Sequence, residues 1–370
     1  MNDLIRIGID TSKSVFVLHG VDAAEEPVLR RKLRRRQMAE FFARLAPVQI
    51  GIEACGAAHY WARELTALGH EVRLLPPQYV KPYVQRGKND AADAEAICEA
   101  MSRPRMRFVP IKTAEQQAAL MLAGVRDQLV TRRTQLSNMI RGYAAEFGVT
   151  AAKGLDKIEP LLARLACEPG VPTPAKALFA MLGKEYAELK PRLRKVDAEL
   201  LAWHRQNELS RRLAEIPSIG PVGAPLMAMK VTDPRAFRCG RDFSAWLGLT
   251  PKDHSTAGKQ RLGVITRAGD EALRSVLVVG ATAVIQQARN GRGNPSPWLV
   301  ALIQRKPPKL AAVALANKTA RIAWKLMVSG ERYDRQRARR DFVLPSGSLA
   351  PGARRQGRVA PPPAVACGQP

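Results

Sequence analysis

Acidic residues are scarce in this chain. Its 370 residues hold 33 Asp and Glu against 59 Lys and Arg, a formal net charge of +26. Solubility alone does not require such an imbalance, and a polyanion is the expected partner. Long apolar runs are missing too. No segment approaches the roughly 20 residues that cross a bilayer, and no single amphipathic stretch reads as an anchor, so nucleic acid leads over an anionic membrane and no membrane partner is expected. Cysteine is sparse: Cys55, Cys98, Cys167, Cys239 and Cys367 fall without CxxC spacing. This excludes a zinc ribbon and a disulfide framework, and an odd count without a signal peptide fits a reducing bacterial cytoplasm, at the nucleoid. The length and the 46% hydrophobic content fit two or three globular domains.

The first 110 residues alternate strand and helix signals. IRIGID has period-2 apolar character, TSK is a short polar turn, and SVFVLHG reads as the returning strand of a hairpin. A third strand is expected at PVLRRKL, a helix over 37–45, a buried strand at VQIGIEA, a helix at HYWARELTALG and a strand at HEVRLL. This order describes an α/β domain around a mixed sheet, where catalytic side chains gather at the carboxyl ends of strands. Asp10 and Glu53 fall at two such ends. In KNDAADAEAICEA, Asp90 and Asp93 lie three residues apart on one face of an expected helix. Each has a plain reading: Asp10 turns a hairpin, Glu53 caps a helix start, and the Asp90 and Asp93 pair is solvated beside Arg86 and Lys88. Together, four converging carboxylates repel one another unless a hard cation lies among them, and oxygen-only ligation suits Mg²⁺ or Mn²⁺ and phosphoryl transfer.

Two long helical patterns follow Thr113, with a short helix and a breaker-rich loop between them. Pro191 is expected to kink or divide the second. The pair reads as an extended arm for spacing or subunit association. Beyond it, IPSIGPVGA puts Gly220 and Gly223 in a turn between helices, where exposed N–H groups suit a DNA phosphate and a plain packing corner explains the same glycines. Trp246 and Trp324 read as core aromatics. The segment DHSTAGKQRLGVITRAGDEALRSVL crowds Ser255, Thr256, Gly258, Lys259, Arg261, Gly263, Arg267 and Gly269 together. Hydroxyls, cations and pliant backbone make it a phosphate site or a nucleophile cradle, although serines in such loops also cap turns. His254 beside Ser255 does not make a triad.

RIGIDTSK, then IEACGAAHYWARELTALGHEVRLLPPQYVKPYVQRGKNDAADAEAICEA, then IPSIGPVGA, then FSAWLGLTPKDHSTAGKQRLGVITRAGDEALRSVLVVGA resemble, in this order, a transposase of the IS110 family in its IS1111-like branch. The resemblance runs from Asn2 to about Tyr333. It implies an α/β N-terminal domain similar to the Holliday-junction resolvase RuvC (RNase H-like) over 1–110, and a long helical coiled linker over 111–212. A mainly α C-terminal transposase domain, with a helix-hairpin-helix-like segment and a serine loop, is implied over 213–333. Residues 334–370, basic, proline-rich and without apolar periodicity, are expected to be a disordered tail. The family's acidic tetrad falls on Asp10, Glu53, Asp90 and Asp93, and its nucleophile on Ser255. Thr256 takes the second hydroxyl position of a Ser-Ser-Gly-Gly-like stretch and is the weaker candidate; Ala257 departs from the usual first glycine.

The resemblance further implies an RNA-guided recombinase acting on double-stranded DNA at element and target sites, with a structured element-encoded guide RNA. The expected assembly is a homo-oligomer, dimer or tetramer. Ser255 would form a phosphoserine bond with DNA, assisted by Mg²⁺ or Mn²⁺ at the tetrad. Lys259, Arg261, Arg267 and Arg274 are candidates for phosphate neutralisation; Arg274 sits in a helical pattern where it could instead pack or pair. Two other classes account for part of the pattern: a RuvC-like structure-selective endonuclease that hydrolyses DNA with metal alone, and a non-catalytic nucleic-acid scaffold whose acids are structural.

Overall fold

A computed structural model describes residues 4–84, 89–104, 106–256, 258–259 and 261–334. Arg86, Lys88, Ala257, Cys367 and, apart from Asp334, the expected tail lie outside the described residues. The N-terminal region comprises β1 (Arg6–Thr11), β2 (Val15–Val21), β3 (Pro27–Arg34), α1 (Met38–Ala43), β4 (Gln49–Glu53), α2 (Ala58–Ala67), β5 (Glu71–Leu75), α3 (Pro77–Val80) and α4 (Asp90–Met101). Its five-stranded sheet has the order β3-β2-β1-β4-β5. β1 pairs antiparallel with β2 and parallel with β4, and β4 pairs parallel with β5.

Strand alternation divides this sheet into two unlike faces. Ile7 and Ile9 pair in register with Ile50 and Ile52, and these four fully buried side chains join Phe42, Trp61 and Leu65 in one core. The opposite face presents Gly8 beside Gly51. A Cβ on Gly8 would stand 2.2 Å from the Ala94 carbonyl oxygen and 2.5 Å from the Cys98 nitrogen; one on Gly51 would stand 2.2 Å from the Met101 sulfur. The missing Cβ atoms therefore let α4 lie directly on the strands. Arg6, on the same face, is 6% exposed and donates from Nε to the Cys98 carbonyl at 3.0 Å, while its guanidinium also pairs with Glu25. Asn89 caps the start of α4 by accepting the Ala92 N–H at 2.8 Å.

The arm consists of α5 (Ala114–Glu146), α6 (Ile158–Cys167) and α7 (Thr173–Gln206). Pairs Arg126 with Asp197 at 2.6 Å and Arg132 with Glu185 at 2.7 Å show that α5 and α7 run antiparallel. α6 packs at their far end around Ile140, Ile158, Leu161 and Phe179. Pro191 does not divide the helix: α7 runs through it to Gln206, with Asn207 as its C-cap. Buried Leu189 and Leu193 flank the proline, so packing outweighs the lost backbone hydrogen bond.

The last region holds α8 (Glu208–Ala214), α9 (Gly223–Lys230), α10 (Gly240–Trp246), β6 (Pro251–Asp253), β7 (Leu262–Ile265), α11 (Glu271–Arg289), α12 (Pro297–Arg305) and α13 (Pro308–Ser329). Ala311, Ala312, Ala316, Ala320 and Ala323 form a buried small-residue face on α13, packed in one core with Phe243, Leu277 and Ala281. β6 and β7 form an exposed antiparallel hairpin. The described chain is thus a mixed α/β sheet followed by a mainly helical remainder.

The seating of α4 carries a prediction. Gly8→Ala is expected to lower stability by about 1–3 kcal/mol, because the new methyl meets backbone atoms that have no rotamer to move into. Gly124, in the middle of α5 with open space at its Cβ position, should respond to the same change with a gain of about 1 kcal/mol. Thermal melts of both variants test this, and a Gly8→Ala protein as stable as the parent contradicts it.

Candidate active site

Asp10 follows Ile9 on β1 and Glu53 follows Ile52 on β4, and Ile9 and Ile52 are partners in parallel register. The two carboxylates therefore leave adjacent strands at the same carboxyl edge, on the face that Gly8 and Gly51 turn toward α4. On α4 the residues Asp90, Asp93, Ala94, Ile97, Cys98 and Met101 form one helical stripe. Its later members are buried against the sheet, and its first two continue it past the sheet edge. The helix begins where β1 ends, so the close packing brings Asp93 near Asp10 and Glu53, and Asp90 near Asp10.

Their electrostatics reflect that convergence. Burial pushes the Asp10 carboxyl above its ordinary value, Asp93 and then Asp90 push it further, and the Thr11 N–H pulls partly back. Burial likewise raises Glu53, followed by the charges of Asp10 and Asp93. Among the described residues, however, no three Asp, Glu, His or Cys side chains lie so as to hold a metal ion as they stand. Asp10 feels the charges of Asp93 and Asp90, and Glu53 those of Asp10 and Asp93, without a closed ligand cage among the described residues. An all-carboxylate donor set fits a hard divalent cation, which favours the charged form that burial and mutual repulsion oppose.

Ser255 lies at the tip of the β6–β7 hairpin. The Arg261 N–H donates to Ser255 Oγ at 3.0 Å, and the Ser255 N–H donates to Asp253 Oδ1 at 2.9 Å. Hydrogen bonds from the Ser255 hydroxyl and N–H hold the Asp253 carboxyl below its ordinary value. Sequence reasoning missed Asp253, although its place two residues before the serine is the spacing of an Asx-turn. The tip is closed by the Lys259 N–H donating to the Thr256 carbonyl at 3.0 Å, with Gly258 at φ +78°. Thr256, Lys259 and Arg261 are exposed around it.

The other candidates divide. Arg267 is exposed at the hairpin base. Arg274 is engaged structurally: its Nη1 donates to the carbonyls of Leu247 at 3.1 Å and Ala268 at 3.2 Å, so it braces the base and ranks behind Lys259 and Arg261 as a phosphate ligand. Gly269 has no room for a side chain, since a Cβ there would stand 1.7 Å from the Trp246 carbonyl. Gly220 lies exposed in its turn, whereas Gly223 is buried at the start of α9 near Val276, so the packing-corner reading accounts for Gly223. Trp246 stacks on Phe243 at 5.7 Å as a core aromatic.

Comparison with known proteins adds a consistent set of likenesses. A family model described as Transposase IS116/IS110/IS902 family matches residues 210–294, and a DEDD transposase model of IS110 elements matches residues 7–147. A Sinorhizobium fredii protein named as a transposase is 64% identical over 334 residues, covering 90% of this chain and 86% of that protein. The transposase for insertion sequence element IS1111A of Coxiella burnetii is 39% identical, covering 90% of this chain and 92% of its own. The transposase for insertion sequence element IS1328 of Yersinia enterocolitica is 37% identical, covering 90% and 100%.

The raised carboxylates set the sign of a pH effect. A carboxyl whose folded pKa lies above its unfolded value favours folding while protonated, and that contribution is lost as pH rises through the folded value. For Asp10 and Glu53 the loss begins near the ordinary carboxylate range, about pH 4, and proceeds as pH rises through their raised folded values. In a chelator at pH 7, Asp10→Asn should therefore melt a few degrees above the parent, about 2–4 °C for each kcal/mol of relieved repulsion, and the gap should close toward pH 4. A variant that melts lower at pH 7 contradicts the mutual repulsion.

Proposed function

The chain belongs to the IS110 family of transposases, in its IS1111-like branch, and from that premise we propose that this DNA transposase cleaves and exchanges strands through a covalent serine–DNA intermediate. The observation that carries the reading is the hydroxyl of Ser255, hydrogen-bonded within its hairpin at the exposed tip and flanked by Lys259 and Arg261. Ser255 Oγ attacks a DNA phosphorus, a phosphoserine ester forms, and the bond to the 3′ oxygen breaks. The serine proton leaves, and the departing strand ends as a 3′-hydroxyl. A 3′-hydroxyl of the exchanged strand reverses the step, so the phosphodiester energy is kept for rejoining. Asp253 orients Ser255, and Lys259, Arg261 and Arg267 hold the phosphate; Thr256 is the reserve nucleophile.

Asp10, Glu53, Asp90 and Asp93 would hold a divalent cation, Mg²⁺ or Mn²⁺. When bound, it supplies charge stabilisation at the phosphate oxygens and an activated hydroxyl. The order β3-β2-β1-β4-β5, with its antiparallel hairpin and parallel crossovers, supports a RuvC-like reading of this domain. Ser255 finds its partners, Asp253 and Arg261, in its own hairpin, whereas Asp10 and Glu53 stand on the five-stranded sheet and Asp90 and Asp93 on α4. That separation supports assembly of the two halves on DNA, across subunits of a dimer or tetramer. The net charge of +26 supports binding both duplex DNA and a structured guide RNA, with pairing to the guide setting the target. No described helix is long and apolar enough to cross a membrane.

The carboxylate edge also supports a second reading, a metal-dependent structure-selective endonuclease that needs no serine. Incubation with guide RNA and labelled cognate DNA separates the two. Ser255→Ala should lose both the protein–DNA adduct and strand exchange by at least about 10³-fold, the scale of removing a covalent nucleophile, while folding and RNA binding persist. Undiminished recombination by Ser255→Ala moves the nucleophile to Thr256 or elsewhere, and hydrolytic ends without any adduct establish the endonuclease instead.

A further inference from the structure

In the C-terminal region two cavities adjoin along α13. One, of about 740 Å³, is walled by Arg241, Arg321, Lys325 and Arg332; the other, of about 400 Å³, by Arg292 and Trp298. Lys318, Ile322 and Tyr333 belong to both, so the two form one trough with a shared middle. Five cations and two carboxylates, Glu331 and Asp334, line the larger part. Aromatic faces interleave with the charges. The Lys318 ammonium lies 4.3 Å from the centre of the Trp298 ring, and the segment carrying Arg332 and Tyr333 is fastened to Glu215, which accepts from the Arg332 guanidinium and the Tyr333 N–H, each at 3.3 Å. Trp324 is held by its indole N–H on the Pro234 carbonyl at 2.9 Å and serves as wall.

We infer that this trough binds unpaired nucleotides of an RNA strand, with phosphates on Arg241, Arg321 and Lys325 and a base against Tyr333. The inference deepens the reading of the chain as an RNA-guided recombinase by naming where unpaired RNA lies. A duplex keeps its bases stacked inside and could touch only the rim cations, whereas a cavity of this size admits a splayed nucleotide. A basic groove interrupted by aromatic rings is the general solution for single strands. The two carboxylates select within that class: they repel phosphate, yet accept hydrogen bonds from ribose 2′-hydroxyls, which DNA lacks.

The test is fluorescence anisotropy of the full chain with a labelled 12-nucleotide single-stranded RNA, the DNA of the same sequence and a blunt RNA duplex, over a salt series. The RNA strand should bind tightest. Arg321→Glu with Lys325→Glu should weaken it by at least roughly tenfold and flatten the logarithmic salt slope by about 1.4, the value for two lost phosphate contacts on a single strand. Tyr333→Ala should weaken it by roughly tenfold with the slope unchanged, as loss of one stacked base does, and Tyr333→Phe should restore it. Equal melting temperatures keep misfolding out of the comparison. Variants that bind the RNA strand like the parent overturn the site, and equal affinity for the DNA strand overturns the RNA assignment. Serine-adduct formation by the parent is scored in parallel: its absence sinks the recombinase reading, whereas a failed trough with an intact adduct leaves that reading standing.

Discussion

The approach of α4 to the sheet is the constraint from which the carboxylate arrangement follows. With side chains at Gly8 and Gly51, the helix would have to lift away from β1 and β4, because the nearest atoms include the backbone of Ala94 and Cys98. Lifting it would draw Asp90 and Asp93 away from Asp10 and Glu53. The same stripe of α4 thus does two things along its length: its small and apolar members pack, and its first two members extend the packing line into solvent as acids. Arg6 locks the register by reaching the Cys98 carbonyl. What burial secures for packing it withholds from charge, and the raised carboxyls of Asp10 and Glu53 measure that conflict.

The serine hairpin is organised on the opposite principle. Its strands are short and exposed, so its shape comes from local hydrogen bonds and from its base. There Arg274 braces two carbonyls and Gly269 fits against Trp246. A firm base with an open tip presents Ser255 outward with its oxygen already engaged by the Arg261 N–H. The tip is open on its outer side, whereas Asp10 and Glu53 are rooted in the sheet and Asp90 and Asp93 in α4.

Much of this was legible in the sequence. Period-2 runs such as IRIGID and VQIGIEA announce the strands, and the spacing of Asp90 and Asp93 announces a shared helix face. Asp10 and Glu53 are legible as neighbouring strand ends, and their grouping with Asp90 and Asp93 is what the family resemblance implies. Other features were hidden for physical reasons. A glycine in a strand does not say whether it marks a bulge or a seat for a helix, so Gly8 and Gly51 carry no signal until α4 is placed. Pro191 reads as a break because sequence reveals its missing N–H but not the packing of Leu189 and Leu193. Arg274 looks like any cation beside a phosphate loop until the Leu247 and Ala268 carbonyls come within reach. The trough draws on Arg241, Arg292, Lys318 and Tyr333, which no local pattern links.

Diffraction at the manganese edge from crystals grown with Mn²⁺ tests the central claim most directly, because it locates the ion without relying on activity. An anomalous peak between the carboxylates of Asp10, Glu53, Asp90 and Asp93, lost in an Asp93→Asn crystal, is the result predicted by packing of α4 on Gly8 and Gly51. Manganese bound elsewhere, with these four acids left unliganded at saturating metal, would contradict it.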